Sequence, residues 1–193
     1  TSGHQFYLSD CLHTNGFQPA KEAIPDDHLR PNQLFAITFN AINDPKICSG
    51  ILSACEELIV PGAIRTLADR FTAYNLPVYH QGKLINEPSH PYIGVYTGDE
   101  DSSRKPAYHN GTAWTWPFPS YCEALFKVYG DKALIPAGDM LSSAMKHFNT
   151  GCINQLPEIL DGNYPHLQKG CYAQAWSVTE LYRVAEMLKM FPE

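Results

Sequence analysis

Two carboxylates lie in the short stretch LPEILDG, where Glu158 and Asp161 are three residues apart between a proline and a glycine. Glycoside hydrolysis requires two carboxyl groups, one that protonates the leaving oxygen and one that activates water or attacks the sugar. An inverting pair is roughly 6.5–9.5 Å apart, so we expect at most one of these two residues to be catalytic in the narrow sense. Alternatively, Asp161–Gly162 is only a turn and Glu158 only a solvated charge.

A second stretch, AYHNGTAWTW at residues 107–116, combines aromatic rings with polar groups. A sugar presents flat C–H faces that pack on indole and phenol rings, and hydroxyls that need donors and acceptors. The residues that supply both are Tyr108, His109, Asn110, Trp114 and Trp116. The alternative is a buried aromatic cluster that contains a hydrogen-bonded histidine.

Two further groups lie where helices are predicted to begin. The LRPNQ motif contains Arg30, Asn32 and Gln33. These side chains could form hydrogen bonds with a ligand, or they could pair with free backbone groups at the helix start. Gln174 and Trp176 lie at the entry of the last predicted helix, and Trp176 is equally compatible with the core. We predict all five as substrate-binding residues.

Metal and phosphate chemistry have little support in this sequence. The eight histidines include no i, i+4 pair and no HExxH pattern, and the six cysteines form no CxxC pair. No glycine-rich phosphate loop or GxSxG motif is present. We therefore expect neither a metal nor a cofactor.

The composition of the 193 residues predicts a globular domain with a neutral polar ligand. The chain is 44% hydrophobic and 12% aromatic, and its net charge of −6 comes without any basic run beyond Arg104–Lys105. Nucleic acid is disfavoured because phosphate binding requires a concentrated basic face. No run reaches the roughly 20 apolar residues that span a bilayer, and the start lacks the features of a signal peptide. Cysteines of this spacing predict buried free thiols and a cytoplasmic location.

The elements that must position these residues are predicted to be helices. Helical patterns begin at Pro31, at Asp44–Pro45, after Gly111, at Asp131 and near Gln174, and long loops cover 60–106 and 152–171. About six helices with elaborate loops at one end predict an all-α fold, part of an (α/α)6 toroid, with room for short β-strands at one rim. A complete toroid needs about twelve helices, so 193 residues correspond to half of one.

Four ordered motifs carry a resemblance to a known family: LRPNQLFAIT, VPGAIRTL, YTGDEDSSRKPAYHNGTAWTWPF and LPEILDGNYPHLQKGCYAQAWSVTELYRV. Together they resemble the C-terminal amylo-α-1,6-glucosidase domain of glycogen debranching enzymes, whose fold is an (α/α)6 barrel. The resemblance extends from Leu29 to the end of the chain, and the preceding FYLSDCL also fits. It implies a single domain over residues 1–193, the last half of that barrel.

The resemblance implies hydrolysis of the single α-1,6-linked glucose left at a trimmed branch of glycogen, with inversion. Glu158 then matches the general base, and Asp161 orients it or binds a sugar hydroxyl. Tyr108, His109 and the tryptophans of AYHNGTAWTW would line the glucose subsite, and the LRPNQ residues would stabilise its rim.

One departure separates this sequence from the family pattern. The general acid of the family lies in a Trp–Met–Asp stretch upstream of LRPNQ, and these 193 residues contain no such stretch. We therefore expect the chain to need an upstream half of its barrel, or to self-associate if isolated. Two alternatives stay open: a glucan-binding piece without turnover, and a related glucoamylase-like glycoside hydrolase.

Overall fold

Short helices and very short strands alternate along residues 6–191, which are the residues that the computed structural model describes. The α-helical segments are α1 (Leu34–Thr38), α2 (Pro45–Cys55), α3 (Lys105–Tyr108), α4 (Phe118–Tyr129), α5 (Leu134–Ser142) and α6 (Ala175–Met187). The strands are β1 (Leu12–His13), β2 (Ile24–Pro25), β3 (Ile59–Val60), β4 (Ala63–Arg65), β5 (Tyr79–His80), β6 (Lys83–Leu84), β7 (Ala113–Trp114), β8 (Ile159–Leu160) and β9 (Gln168–Lys169).

The helix starts predicted from capping residues agree with the structure. Asp44 caps α2, and its Oδ1 accepts hydrogen bonds from the backbone N–H groups of Lys46 at 2.9 Å and Ile47 at 3.0 Å. The helix predicted to begin at Pro31 is shorter than its apolar pattern suggests. It opens as a 3-10 turn and ends at Thr38, because Asn40 adopts a positive φ of 57°.

The main hydrophobic core lies around α4, which packs against α1, α2, α5 and α6. Phe118 and Cys122 of α4 are fully buried there together with Leu34, Ile51 and Val184. The six cysteines are free, but only Cys48, Cys55 and Cys122 are buried, so the prediction of buried thiols holds for half of them. No helix in residues 6–191 is long and apolar enough to cross a membrane.

The prediction of an all-α fold, part of an (α/α)6 toroid, is wrong. Five strands form an antiparallel sheet in the order β3–β4–β7–β8–β9, and β1–β2 and β5–β6 form two small hairpin sheets, so the fold is mixed α/β. Each strand is two or three residues long, too short to produce the alternation of polar and apolar residues by which a strand is recognised in sequence. The two central pairings, β4 with β7 and β7 with β8, also join distant parts of the chain.

Candidate active site

The central strands of the sheet bring the two main motifs together. Trp114 of β7 pairs with Ile159 of β8, and Ala113 pairs with Leu160. Glu158 directly precedes β8, and its backbone N–H donates to the Cys171 carbonyl at 2.8 Å. The AYHNGTAWTW and LPEILDG motifs are therefore neighbours, although 39 residues separate them along the chain.

The carboxylate of Glu158 is half-buried and is held by two donors. Its Oε1 accepts a hydrogen bond from the hydroxyl of Tyr108, and its Oε2 accepts one from the backbone N–H of Cys171 at 3.0 Å. A carboxylate has about four acceptor positions, so these two bonds fix its orientation and leave capacity for a water molecule or a sugar hydroxyl.

A glycine makes room for this carboxylate. Gly170 has a φ of +66°, and a Cβ placed on it would lie 2.5 Å from Oε2 of Glu158. A side chain at position 170 would therefore collide with the carboxylate. Glycine lets the backbone come close enough for the N–H of Cys171 to donate to Glu158.

Tyr108 is fixed at both ends. Its carbonyl accepts hydrogen bonds from Nε1 of Trp114 at 2.9 Å and from the hydroxyl of Thr112 at 2.7 Å. Burial raises the pKa of Tyr108, and the hydrogen bond to Glu158 raises it further. The phenol therefore stays protonated and acts as a donor to the carboxylate.

Aromatic rings form a wall beside Glu158. The ring of Tyr108 meets Trp114 edge-on at 4.6 Å between centroids, and His109 stacks on Trp114 at 5.4 Å with 15° between the planes. Burial and the nearby charge of Arg30 lower the pKa of His109, which favours the neutral imidazole. Three of the residues predicted to line a sugar subsite, Tyr108, His109 and Trp114, thus contact one another, and Tyr108 also binds Glu158.

Trp116 and Trp176 continue this wall beyond Trp114. Trp176 meets Trp114 at 6.3 Å and stacks on Trp116 at 4.7 Å, and Trp116 stacks on Phe35 at 5.7 Å. We call Trp176, Trp116 and Phe35 the aromatic row. Trp176 is 44% exposed, so this row is accessible to a ligand. Gln174 precedes α6 and donates its backbone N–H to the Leu156 carbonyl.

Asp161 has a different environment from Glu158. It is only 5% exposed, its Oδ1 accepts from the backbone N–H of Tyr96 at 2.8 Å, and its Oδ2 lies 3.8 Å from Nζ of Lys169. Its carboxylate therefore holds the Tyr96 segment against β8. That segment in turn places the Tyr96 ring 5.8 Å from the ring of Tyr108.

Arg30 binds the AYHNGTAWTW segment at His109 and Asn110. Its guanidinium donates to the carbonyls of His109 and Thr66 and to Oδ1 of Asn110, and it lies 3.3 Å from Oδ2 of Asp10. Burial lowers the pKa of Arg30, although Asp10 opposes this shift. Arg30 and Asn110 therefore act on the site by positioning His109.

The other two LRPNQ residues also bind the chain itself. Asn32 donates to Oδ1 of Asp10 at 3.1 Å. Gln33 is buried, donates to the Arg30 carbonyl at 2.9 Å and accepts from the backbone N–H of Leu8 at 3.0 Å. These contacts join both side chains to the chain itself, and their assignment as substrate-binding residues stays a prediction.

Sequence reasoning missed three contributions to the site: the backbone N–H of Cys171, the space at Gly170 and the ring of Tyr96. A backbone donor leaves no signature in residue type. The glycine and the tyrosine lie within the recognised motifs, but only the pairing of strands in the sheet brings these motifs together.

The comparison with known protein families agrees with the resemblance. The sequence profile of the amylo-alpha-1,6-glucosidase family matches residues 8–183, which include every residue of the site described above. Among proteins with curated descriptions, none matches the chain.

Proposed function

The chain belongs to the amylo-alpha-1,6-glucosidase family, and we propose that it removes single α-1,6-linked glucosyl residues from an α-glucan with Glu158 as the base. The observation that carries the proposal is the Glu158 carboxylate, held by the Cys171 N–H and by Tyr108, whose ring meets the exposed ring of His109 at 4.9 Å between centroids. This arrangement offers both a proton acceptor and a face on which a sugar can pack.

The chemistry assigned to each group follows from its contacts. The free acceptor positions of Glu158 take a proton from water as that water attacks the anomeric carbon from the side opposite the leaving oxygen. Tyr108 keeps the carboxylate oriented, and the sugar packs on the exposed ring of His109, which stacks on the buried Trp114. A second carboxyl group must protonate the leaving oxygen, and we assign it to an upstream segment of the kind that the resemblance implies.

Asp161 supports this reaction without touching the substrate. Because its oxygens are engaged by Tyr96 and Lys169, we assign it to positioning the wall beside Glu158. We further propose that the reaction takes place in the cytoplasm, since the six cysteines are free and disulfides are rare in that compartment.

The experiment measures free glucose released from a glucan that carries single α-1,6-glucosyl stubs. Glu158→Gln should lower the rate by about 10²–10⁴-fold, the usual contribution of general base catalysis. Glu22→Gln, an exposed glutamate on a separate helical turn, serves as the matched control and should retain the parent rate. The assignment of the base would be refuted if the parent released glucose and Glu158→Gln released it at the same rate.

The aromatic row favours a second candidate function, glucan binding without turnover. Its rings are stacked and partly exposed whether or not a general acid is present. Retardation of the chain in a glucan-containing gel, with no glucose released by the parent, would support binding alone. Absence of both retardation and release would contradict both candidate functions for these 193 residues.

A further inference from the structure

A cysteine, a histidine and an aspartate meet at the first hairpin of the chain. Strand β1 pairs with β2 in the register Leu12↔Pro25 and His13↔Ile24, and the backbone N–H of Asp26 donates to the Cys11 carbonyl at 3.1 Å. This pairing brings Sγ of Cys11, Nε2 of His13 and Oδ2 of Asp26 together. The three atoms lie 3.3 Å (Sγ–Nε2), 3.5 Å (Sγ–Oδ2) and 3.5 Å (Nε2–Oδ2) apart.

These separations match one face of a tetrahedral metal site. Zinc bonds of about 2.3 Å to sulfur and about 2.0–2.2 Å to nitrogen or oxygen, at tetrahedral angles, place the ligand atoms roughly 3.3–3.6 Å apart. The combination of one sulfur, one nitrogen and one oxygen also suits zinc better than calcium or magnesium, which prefer oxygen alone. We propose that Cys11, His13 and Asp26 bind one Zn²⁺ ion.

Other residues already hold two of the ligands in place. Asp26 is buried, its Oδ1 accepts from the backbone N–H of His28 at 2.9 Å, and Nδ1 of His28 lies 2.9 Å from its Oδ2. The ring of His13 stacks on Tyr74 at 3.8 Å with 10° between the planes. Outer partners of this kind fix the orientation of metal ligands and strengthen binding.

The fourth position faces solvent. Cys11 is exposed and the His13 side chain is 33% exposed, so a water molecule or an external ligand can complete the tetrahedron. Binding releases the proton of the Cys11 thiol, because the thiolate is the ligand, and the affinity should therefore rise with pH.

A metal ion here would stiffen the segment that supports Arg30. Asp10 adjoins Cys11, lies 3.3 Å from the Arg30 guanidinium and accepts from Asn32. Fixing Cys11 therefore fixes Asp10, and through Arg30 the segment that carries His109. Zinc binding itself does not depend on the function proposed for Glu158, and the two can fail separately.

The test uses the full chain, reduced and freed of metal by a chelator, and titrated with Co²⁺ and then with Zn²⁺. Cobalt bound by a thiolate gives a sulfur-to-metal charge-transfer band in the near ultraviolet, and zinc should abolish this band at one equivalent. Cys11→Ser should lose the band. His13→Gln should lower the zinc affinity by more than the 10- to 100-fold that loss of an outer partner typically costs.

Two controls keep the result specific. Cys152→Ser removes another exposed cysteine and should keep both the band and the stoichiometry. Zinc should raise the unfolding midpoint of the parent and of Cys152→Ser, but not that of Cys11→Ser or His13→Gln, whose metal-free circular dichroism spectra should match that of the parent. Absence of saturable binding, or a band that persists in Cys11→Ser, would overturn the proposal.

Discussion

The hydroxyl of Tyr108 donates a hydrogen bond to the carboxylate of Glu158, a residue 50 positions further along the chain. Tyr108 ends α3 and Glu158 precedes β8, and the pairing of β7 with β8 brings them together. The carbonyl of the same tyrosine accepts from the indole of Trp114. A single residue thus joins the carboxylate to the aromatic wall, so its two functions can be separated by removing the hydroxyl alone.

Tyr108→Phe should keep the ring and remove this donor. A hydrogen bond to a charged group contributes about 1.5–3 kcal/mol, so we expect kcat/KM for glucose release to fall roughly ten- to a hundredfold. The unfolding midpoint should change little, because water can replace the donor at a half-buried carboxylate. Tyr79→Phe, an exposed tyrosine of β5, is the matched control, and an unchanged rate in Tyr108→Phe would contradict the role given to the hydroxyl.

Gly170→Ala should displace Glu158. The new Cβ would lie 2.5 Å from Oε2 in a backbone with φ of +66°, so both steric conflict and backbone strain act at this position. We expect the free energy of unfolding to fall by more than the roughly 1–2 kcal/mol of left-handed strain alone, and glucose release to be lost.

Gly16→Ala separates these two effects. Gly16 has nearly the same φ, +67°, but no atom lies within 4 Å of its added Cβ. This variant should show the strain alone and retain activity. If the two variants lost the same stability, measured by urea unfolding, the close contact at Gly170 would have no measurable effect.

The helices could be predicted from the sequence because their signals are local. Asp44 and Pro45 mark the start of α2 within two residues, and the apolar spacing of α6 extends over several turns. The sheet could not be predicted, because strands such as Ile159–Leu160 are two residues long and their pairing depends on contacts across the whole chain. The toroid prediction failed for this reason.

Part of the site was predictable, because some of its residues lie close together along the chain. Tyr108, His109 and Trp114 lie within seven residues, so their types alone indicated an aromatic, polar surface. Their meeting with Glu158 depends on strand register. The proposed metal ligands could not be predicted from the sequence, because Cys11 and Asp26 are 15 residues apart, which matches no common zinc spacing.

Trp176→Ala should weaken glucan binding. Trp176 is partly exposed and stacks on Trp116, so its removal interrupts the aromatic row while leaving Glu158 untouched. An aromatic contact contributes about 0.5–1.5 kcal/mol, and we expect glucan affinity measured by gel retardation to fall about two- to tenfold. Phe17→Ala, at a fully exposed aromatic elsewhere, should bind like the parent. Equal affinity in Trp176→Ala would mean that the row is only packing.

His147 should make the stability of the protein depend on pH. It is 5% exposed, and its Nε2 lies 3.0 Å from the Pro61 carbonyl. Burial lowers the pKa of His147 below its ordinary 6.5, and this outweighs the hydrogen bond to Pro61, which acts in the opposite direction. The unfolded chain therefore binds a proton more readily than the folded one. The stabilisation is complete above about pH 6.5 and is lost as the pH falls through the lower folded-state value.

His147→Gln removes the titrating group and can still donate to the Pro61 carbonyl. Urea unfolding at about pH 7.5 and about pH 5.5 should show a smaller loss of stability for this variant than for the parent. His80→Gln, on the β5–β6 hairpin, should follow the parent. If His147→Gln lost as much stability as the parent between these two pH values, protonation of His147 would not contribute to acid destabilisation, because the variant cannot titrate at this position.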